Sequence, residues 1–286
     1  MEANIWMTEL RAILRGAAGS FLFGVPLLYT LEIWSIGSST EAPLLLIVLG
    51  TTFIIVLLLT QIEGFRRTLQ LRPLEAVLES IEALGIGMIC ALLALVLLRR
   101  ITLVTPMTEA LGKLVFESVP FSLGVTLARS TLTRPNRNRR RVSLPQRFTS
   151  PTLISLRDTL IDIDATLIGA ILIAFSIAPT EEIQLIASAL PPLWLLLIVA
   201  ASLLLSYSIV FASGFTDRSE RQQRGLLLSP LSETLVTYLV VLLASMLMLI
   251  FFQQLNFQEP WQEWLGDTLV LGLPASVGGA AGRLLI

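Results

Sequence analysis

The residues of this chain that could do chemistry are carboxylates set into or beside apolar runs. Glu32 in LLYTLEIW and Glu182 in IAPTEEI each follow a long apolar stretch. Two carboxylates brought together attract a cation, or share a proton between them. Thr30 and Thr180 stand two residues before them, and Tyr29 offers another neutral oxygen. Pro26 and Pro179 would each leave a carbonyl of the preceding turn without its usual donor, and such freed carbonyls ligate cations in transporters. Glu181 adds a second acid beside Glu182. The plain alternative is a pair of helix ends reaching headgroup water. Glu32 lies 17 residues after Arg15, roughly 25 Å at the rise of an α-helix, which is near the outer edge of a bilayer core ~30 Å thick.

Two further acidic groups follow. Glu75, Glu79 and Glu82 share one helical face, as do Asp158 and Asp162, with Asp164 close by. Acids in the first turns of helices suit the helix dipole, which is their plain reading, and Glu82 is the deepest of them. Glu117 stands midway through an apolar stretch, four residues after Lys113. An ion pair inside the bundle would explain it; otherwise an ionisable group within a membrane is a functional candidate by default.

Other chemistries are poorly served. There is no histidine, which removes the usual general base near neutral pH and the commonest metal ligand. Cys90 is the single cysteine, so no intrachain disulfide or thiolate cluster can form. No phosphate-binding loop or nucleophile elbow is present. The reading is a non-enzyme without a cofactor.

The elements that must hold these carboxylates are membrane helices. The chain is 54% hydrophobic and 14% charged, against about 25% charged in soluble domains. Eight apolar stretches approach spanning length: 15–36, 43–61, 74–98, 107–128, 159–179, 191–212, 231–253 and 265–285. None alternates with period two, so helices rather than barrel strands are expected. The N-terminal stretch lacks a small-residue cleavage site and is expected to remain as the first span. With the N-terminus inside, 17 of the 20 basic residues fall on the cytoplasmic side, leaving Arg99, Arg100 and Lys113 outside. The run RPNRNRRR, with Arg137, Arg139, Arg140 and Arg141, reads as a cytoplasmic loop touching anionic lipid headgroups rather than as a nucleic-acid patch.

The chain also repeats itself. Aligned without gaps, 106–129 and 260–283 share eight identities in 24 positions, among them Gly112 with Gly266, Pro120 with Pro274, Gly124 with Gly278 and Arg129 with Arg283. Glu117 meets Leu271 there. At an offset of 150, Gly19 meets Gly169, Thr30 meets Thr180 and Glu32 meets Glu182. The expected fold is therefore an all-α polytopic membrane protein of two parallel four-helix repeats, 1–128 and 158–286. An arginine-rich cytoplasmic linker, 129–157, joins them around a pseudo-twofold axis along the membrane normal.

The stretches RGAAGSFLFGVPLLYTLEIW and IAPTEEI resemble a family of bacterial, cyanobacterial-type integral membrane proteins of unassigned function. The resemblance implies a bacterial inner membrane, plasma or thylakoid, and supplies no catalytic residues. The functional expectation rests on the acids: a transporter or channel handling cations. The alternative is a membrane scaffold or assembly protein that binds partners or anionic lipid through its basic loop. Membrane lipid, a cation and a second copy of the chain are the expected partners.

Overall fold

The computed structural model describes residues 2–66, 73–131, 151–212, 230–255 and 260–285. Among them the chain is helical throughout: α1 (Glu2–Leu28), α2 (Leu31–Ser39), α3 (Ala42–Arg66), α4 (Pro73–Leu97), α5 (Met107–Thr131), α6 (Pro151–Ile177), α7 (Glu182–Ser188), α8 (Pro192–Tyr207, closing in a π-helical turn Ser208–Ala212), α9 (Pro230–Phe251) and α10 (Trp261–Leu285). Four of the helices, α4, α6, α8 and α9, open on proline, whose fixed φ and missing N–H suit the first helical position. Arg137, Arg139, Arg140 and Arg141 lie outside the described residues.

Among the described residues, six helices are long and apolar enough to cross a membrane: α3, α4, α5, α6, α8 and α9. The first apolar stretch is not one straight span. It breaks after Leu28, and α2 leaves α1 at 92°; counted together the pair makes up to seven. The eighth stretch forms α10, which does not qualify by apolarity. Every residue from 266 to 280 is buried within the protein, and a helix enclosed by other helices has little lipid-facing surface to cover.

α5 and α10 are the central helices. α5 packs against α1, α4, α2 and α3, whereas α10 packs against α6, α8, α9 and α7. The closest approaches run through glycine. Gly19 of α1 lies against Gly124 and Ala128 of α5, and Gly169 of α6 lies against Gly278 and Gly282 of α10. Gly37 of α2 meets Gly112 of α5 backbone to backbone. Between helices in lipid no hydrophobic force operates, so close van der Waals packing at small residues carries the association.

Each central helix ends near an arginine tied to its neighbour. Arg129 Nη2 is 2.8 Å from Glu82 Oε1. Arg283, 1% exposed, pairs with Glu233 and lies over the Phe211 ring at 5.5 Å. At the other end the two groups of helices are joined directly. Tyr29 Oη donates to the Val270 carbonyl at 2.9 Å, and Trp194 Nε1 donates to the Leu97 carbonyl at 2.6 Å.

Candidate functional site

The break between α1 and α2 lies alongside α5. Gly24 of α1 packs on the Phe121 ring, and Gly37 of α2 packs on Gly112 and Lys113. The stretch of α5 between those contacts therefore faces the break at Tyr29–Thr30, and it carries Glu117. Glu117 is ten residues into α5, roughly 15 Å along the axis, which is midway along a helix long and apolar enough to span a membrane. It is 0% exposed.

Three residues lie around the break between α1 and α2 on this side. Trp34 of α2 is buried, with its indole N–H next to the Glu117 carboxyl. Neither Trp34 Nε1 nor either Glu117 oxygen has a hydrogen-bond partner of good geometry among the described residues. Arg100 lies over the Trp34 ring, its Cζ 4.6 Å from the ring centroid. Tyr29, buried at the break, spends its hydroxyl hydrogen on Val270.

Arg100 is positioned by the way α4 ends. Arg99 adopts φ 53°, a left-handed conformation common after helix ends. Arg99 N–H bonds the Val96 carbonyl at 3.0 Å, and Arg100 N–H bonds the Leu95 carbonyl at 2.8 Å. This closed turn directs Arg100 back over α2. Its Nη2 reaches the Leu185 carbonyl only at 3.4 Å, and its Nε is buried without a partner. Burial pulls the guanidinium below its ordinary value, but an arginine remains charged in proteins.

The ion pair that would have explained Glu117 goes elsewhere. Lys113 Nζ bonds Glu109 Oε1 at 2.5 Å and the Arg100 carbonyl at 3.2 Å. Spacing on the helix allowed Lys113 either acid, four residues before or four after. The Arg100 carbonyl holds it toward the helix start, away from Glu117.

Glu32 and Glu182 sit differently from the expectation of two helix ends. Glu32 lies in the first turn of α2, and Glu182 is the first residue of α7. Glu182 Oε1 accepts from the Leu31 N–H at 3.4 Å, so its carboxylate stands at the start of α2 beside Glu32. Glu32 and Glu181 are exposed. Thr30 and Thr180 spend their hydroxyl hydrogens on the Leu27 and Ile177 carbonyls, at 2.9 and 2.7 Å, closing the ends of α1 and α6.

The remaining acids are not gathered into one group. Glu82 is taken by Arg129, Glu79 is exposed, Asp162 is half-buried and Asp164 exposed. Their helices also pack into different groups, α4 against α5, α1 and α3, and α6 against α10 and α9. No cluster of three or more acidic, cysteine or histidine side chains fit to hold a metal ion occurs among the described residues.

Arg100 and Trp34 are the members of the site that inspection of the acids alone passes over. A signal was present for Arg100: the charge reading of the sequence sets it, with Arg99 and Lys113, apart from the 17 basic residues expected on the cytoplasmic side.

A family model described as "Putative integral membrane protein (DUF2391)" matches residues 12–286. The chain belongs to this family. It is a multi-pass integral membrane protein, in keeping with the resemblance carried by its first apolar stretch and the IAPTEEI segment. No curated protein and no solved structure matches the chain. The family's description carries membrane integration and names no substrate, so any function has to be argued from the buried carboxyl and its surroundings.

Proposed function

We propose that this protein handles cations across the membrane, as a transporter or channel, and that Glu117 is the group the cation meets. The observation that carries this reading is a fully buried carboxyl with no hydrogen-bond partner among the described residues, beside the 92° break in a helix pair that together is long and apolar enough to span a membrane. A bare carboxylate in such surroundings costs several kcal/mol. The group is therefore neutralised by something that can come and go. Broken helices are tolerated within a membrane where they are buried in protein or line a cavity, and transporters place their ion sites at such breaks.

The architecture proposed with it is two repeats, α1–α5 and α6–α10, each giving four crossings when α1–α2 and α10 are counted. The glycine contacts support it. Gly19 on Gly124 and Gly169 on Gly278 pair the positions that match in the two alignments. The closed turn ending α4 also recurs after α9, where Gln253 takes φ 58° and Gln254 N–H bonds the Leu249 carbonyl. Both termini and the arginine-rich loop are assigned to the cytoplasmic side of a bacterial inner membrane by their charge. In a Cys90→Ala background, an Asn138→Cys variant should be labelled by an impermeant maleimide only after cells are opened. Labelling of intact cells would reverse this topology.

The functional test is flux into liposomes under an imposed cation gradient. Glu117→Gln should reduce flux to the leak of protein-free vesicles. Glu32→Gln and Glu182→Gln should lower it less, because they flank the outer approach and not the break. Unchanged flux in Glu117→Gln would remove the proposal.

A further inference from the structure

We propose that the cation taken at this site is a proton, carried on Glu117 and released toward the α1–α2 break, with the Arg100 guanidinium as the charge that compensates the carboxylate it leaves. The inference rests on the cation-handling reading and names its ion.

The donor set decides against a metal ion. Calcium takes six to eight oxygen ligands and magnesium a near-ideal octahedron. Glu117 belongs to no group of three or more acidic, cysteine or histidine side chains fit to hold a metal ion among the described residues. Trp34 offers an N–H, which repels a metal ion and suits a carboxylate oxygen. A proton needs one oxygen only. In the step, the carboxyl O–H bond breaks heterolytically, the proton passes to water entering at the break, and the electron pair stays on the carboxylate.

The charge assigned to compensate that carboxylate is Arg100, which lies on the face of the Trp34 ring. One indole touches both partners, with Arg100 on its face at 4.6 Å and Glu117 beside its N–H edge. Arg100 has a buried Nε without a partner and a long bond at Nη2, so it has donors to turn toward a carboxylate. The other titratable or charged side chains brought toward this half of α5 are Tyr29 from α1, Glu32 from α2, Cys90 from α4 and Arg99 from the following turn. Lys113 and Glu109 lie on α5 itself, paired with each other. Arg15, Glu75, Glu79, Glu82 and Arg129 lie toward the opposite end, and the described apolar span of α3, Ala42–Gln61, carries no charge. Leu271 occupies the aligned position of the second half, so each chain holds one such site.

The full-length protein in liposomes, with a potential set by potassium and valinomycin, tests the ion. Proton uptake is read by an internal pH dye, and sodium and potassium fluxes are read in parallel. Infrared difference spectra follow the protonated-carboxyl C=O band. Proton flux is expected without sodium or potassium flux, together with a band that disappears as the buffer is made alkaline. That band should be absent in Glu117→Gln and displaced in Glu117→Asp. Arg100→Gln should keep the band to more alkaline buffer, since the charge that favours the carboxylate is gone. Sodium or potassium flux that depends on Glu117, without proton flux, would overturn the proton and leave cation handling intact. A titrating Glu117 band without flux of any cation would keep the proton site and remove transport. No flux and no titrating band would overturn both.

Discussion

Gly169→Val should unfold the protein in detergent well below the parent's temperature, and Gly19→Val should do the same. A Cβ on Gly169 would run into the Gly278 carbonyl, with its carbon 2.9 Å away and Gly282 Cα at 3.2 Å. A Cβ on Gly19 would meet Ala128 Cβ, and the Gly124 carbonyl oxygen at 2.7 Å. In both cases the obstacles include the backbone of a central helix, which cannot rotate aside as a side chain can. The helices must separate, and overpacking of this kind costs about 3 kcal/mol or more once the branched methyls are added. Nothing lies within 4 Å of a Cβ on Gly50 or Gly85. Alanine at either should cost nothing and should add about 0.5–1 kcal/mol through helix propensity. The measurement is thermal unfolding followed by fluorescence-detected size exclusion. Parent-like unfolding of Gly19→Val and Gly169→Val would mean that these two crossings do not hold each half together.

The same glycines show what could be read from the chain in advance. Lipid demands long apolar runs and satisfied backbone, so α3, α4, α6, α8 and α9 stand out by composition alone. Gly19, Gly124, Gly169 and Gly278 recur in register, and they are where helices touch. The break after Leu28 was not legible. The run from 15 to 36 is apolar on both sides of it, and Pro26, the obvious breaker, sits inside α1. The turn is held instead by distant contacts, Tyr29 on Val270 and Glu182 on the Leu31 N–H. Glu117 was legible as a candidate, but its neighbours were not. The choice of Lys113 between Glu109 and Glu117 depends on the Arg100 carbonyl, and that depends in turn on how α4 ends. Glu32 and Glu182 do approach the same place, through the start of α2. They do so as residues of two short helices, not as the last residues of two long ones.

Glu117→Leu should make the protein more stable while it abolishes flux. Leu271, at the aligned position of α10, is 0% exposed, and leucine is close to glutamate in volume. In Glu117 that volume ends in a carboxyl whose oxygens have no partner among the described residues. Leaving a buried polar group unsatisfied costs about 1–3 kcal/mol, and replacing buried charged groups with apolar residues of similar size has stabilised other proteins by about 1–4 kcal/mol. A gain of about 1–3 kcal/mol in unfolding free energy is therefore expected, seen as a higher midpoint in the same detergent assay. Glu117→Gln keeps a polar group in the same place and should gain little, although its flux should fall equally. The contrast separates two roles that loss of flux alone would confuse. A carboxyl kept for packing would leave the leucine variant less stable than the parent. A carboxyl kept for its charge burdens the resting fold, as buried functional groups commonly do. If Glu117→Leu unfolds below the parent, the carboxyl is a structural member of the bundle and Glu117 ceases to be the cation site.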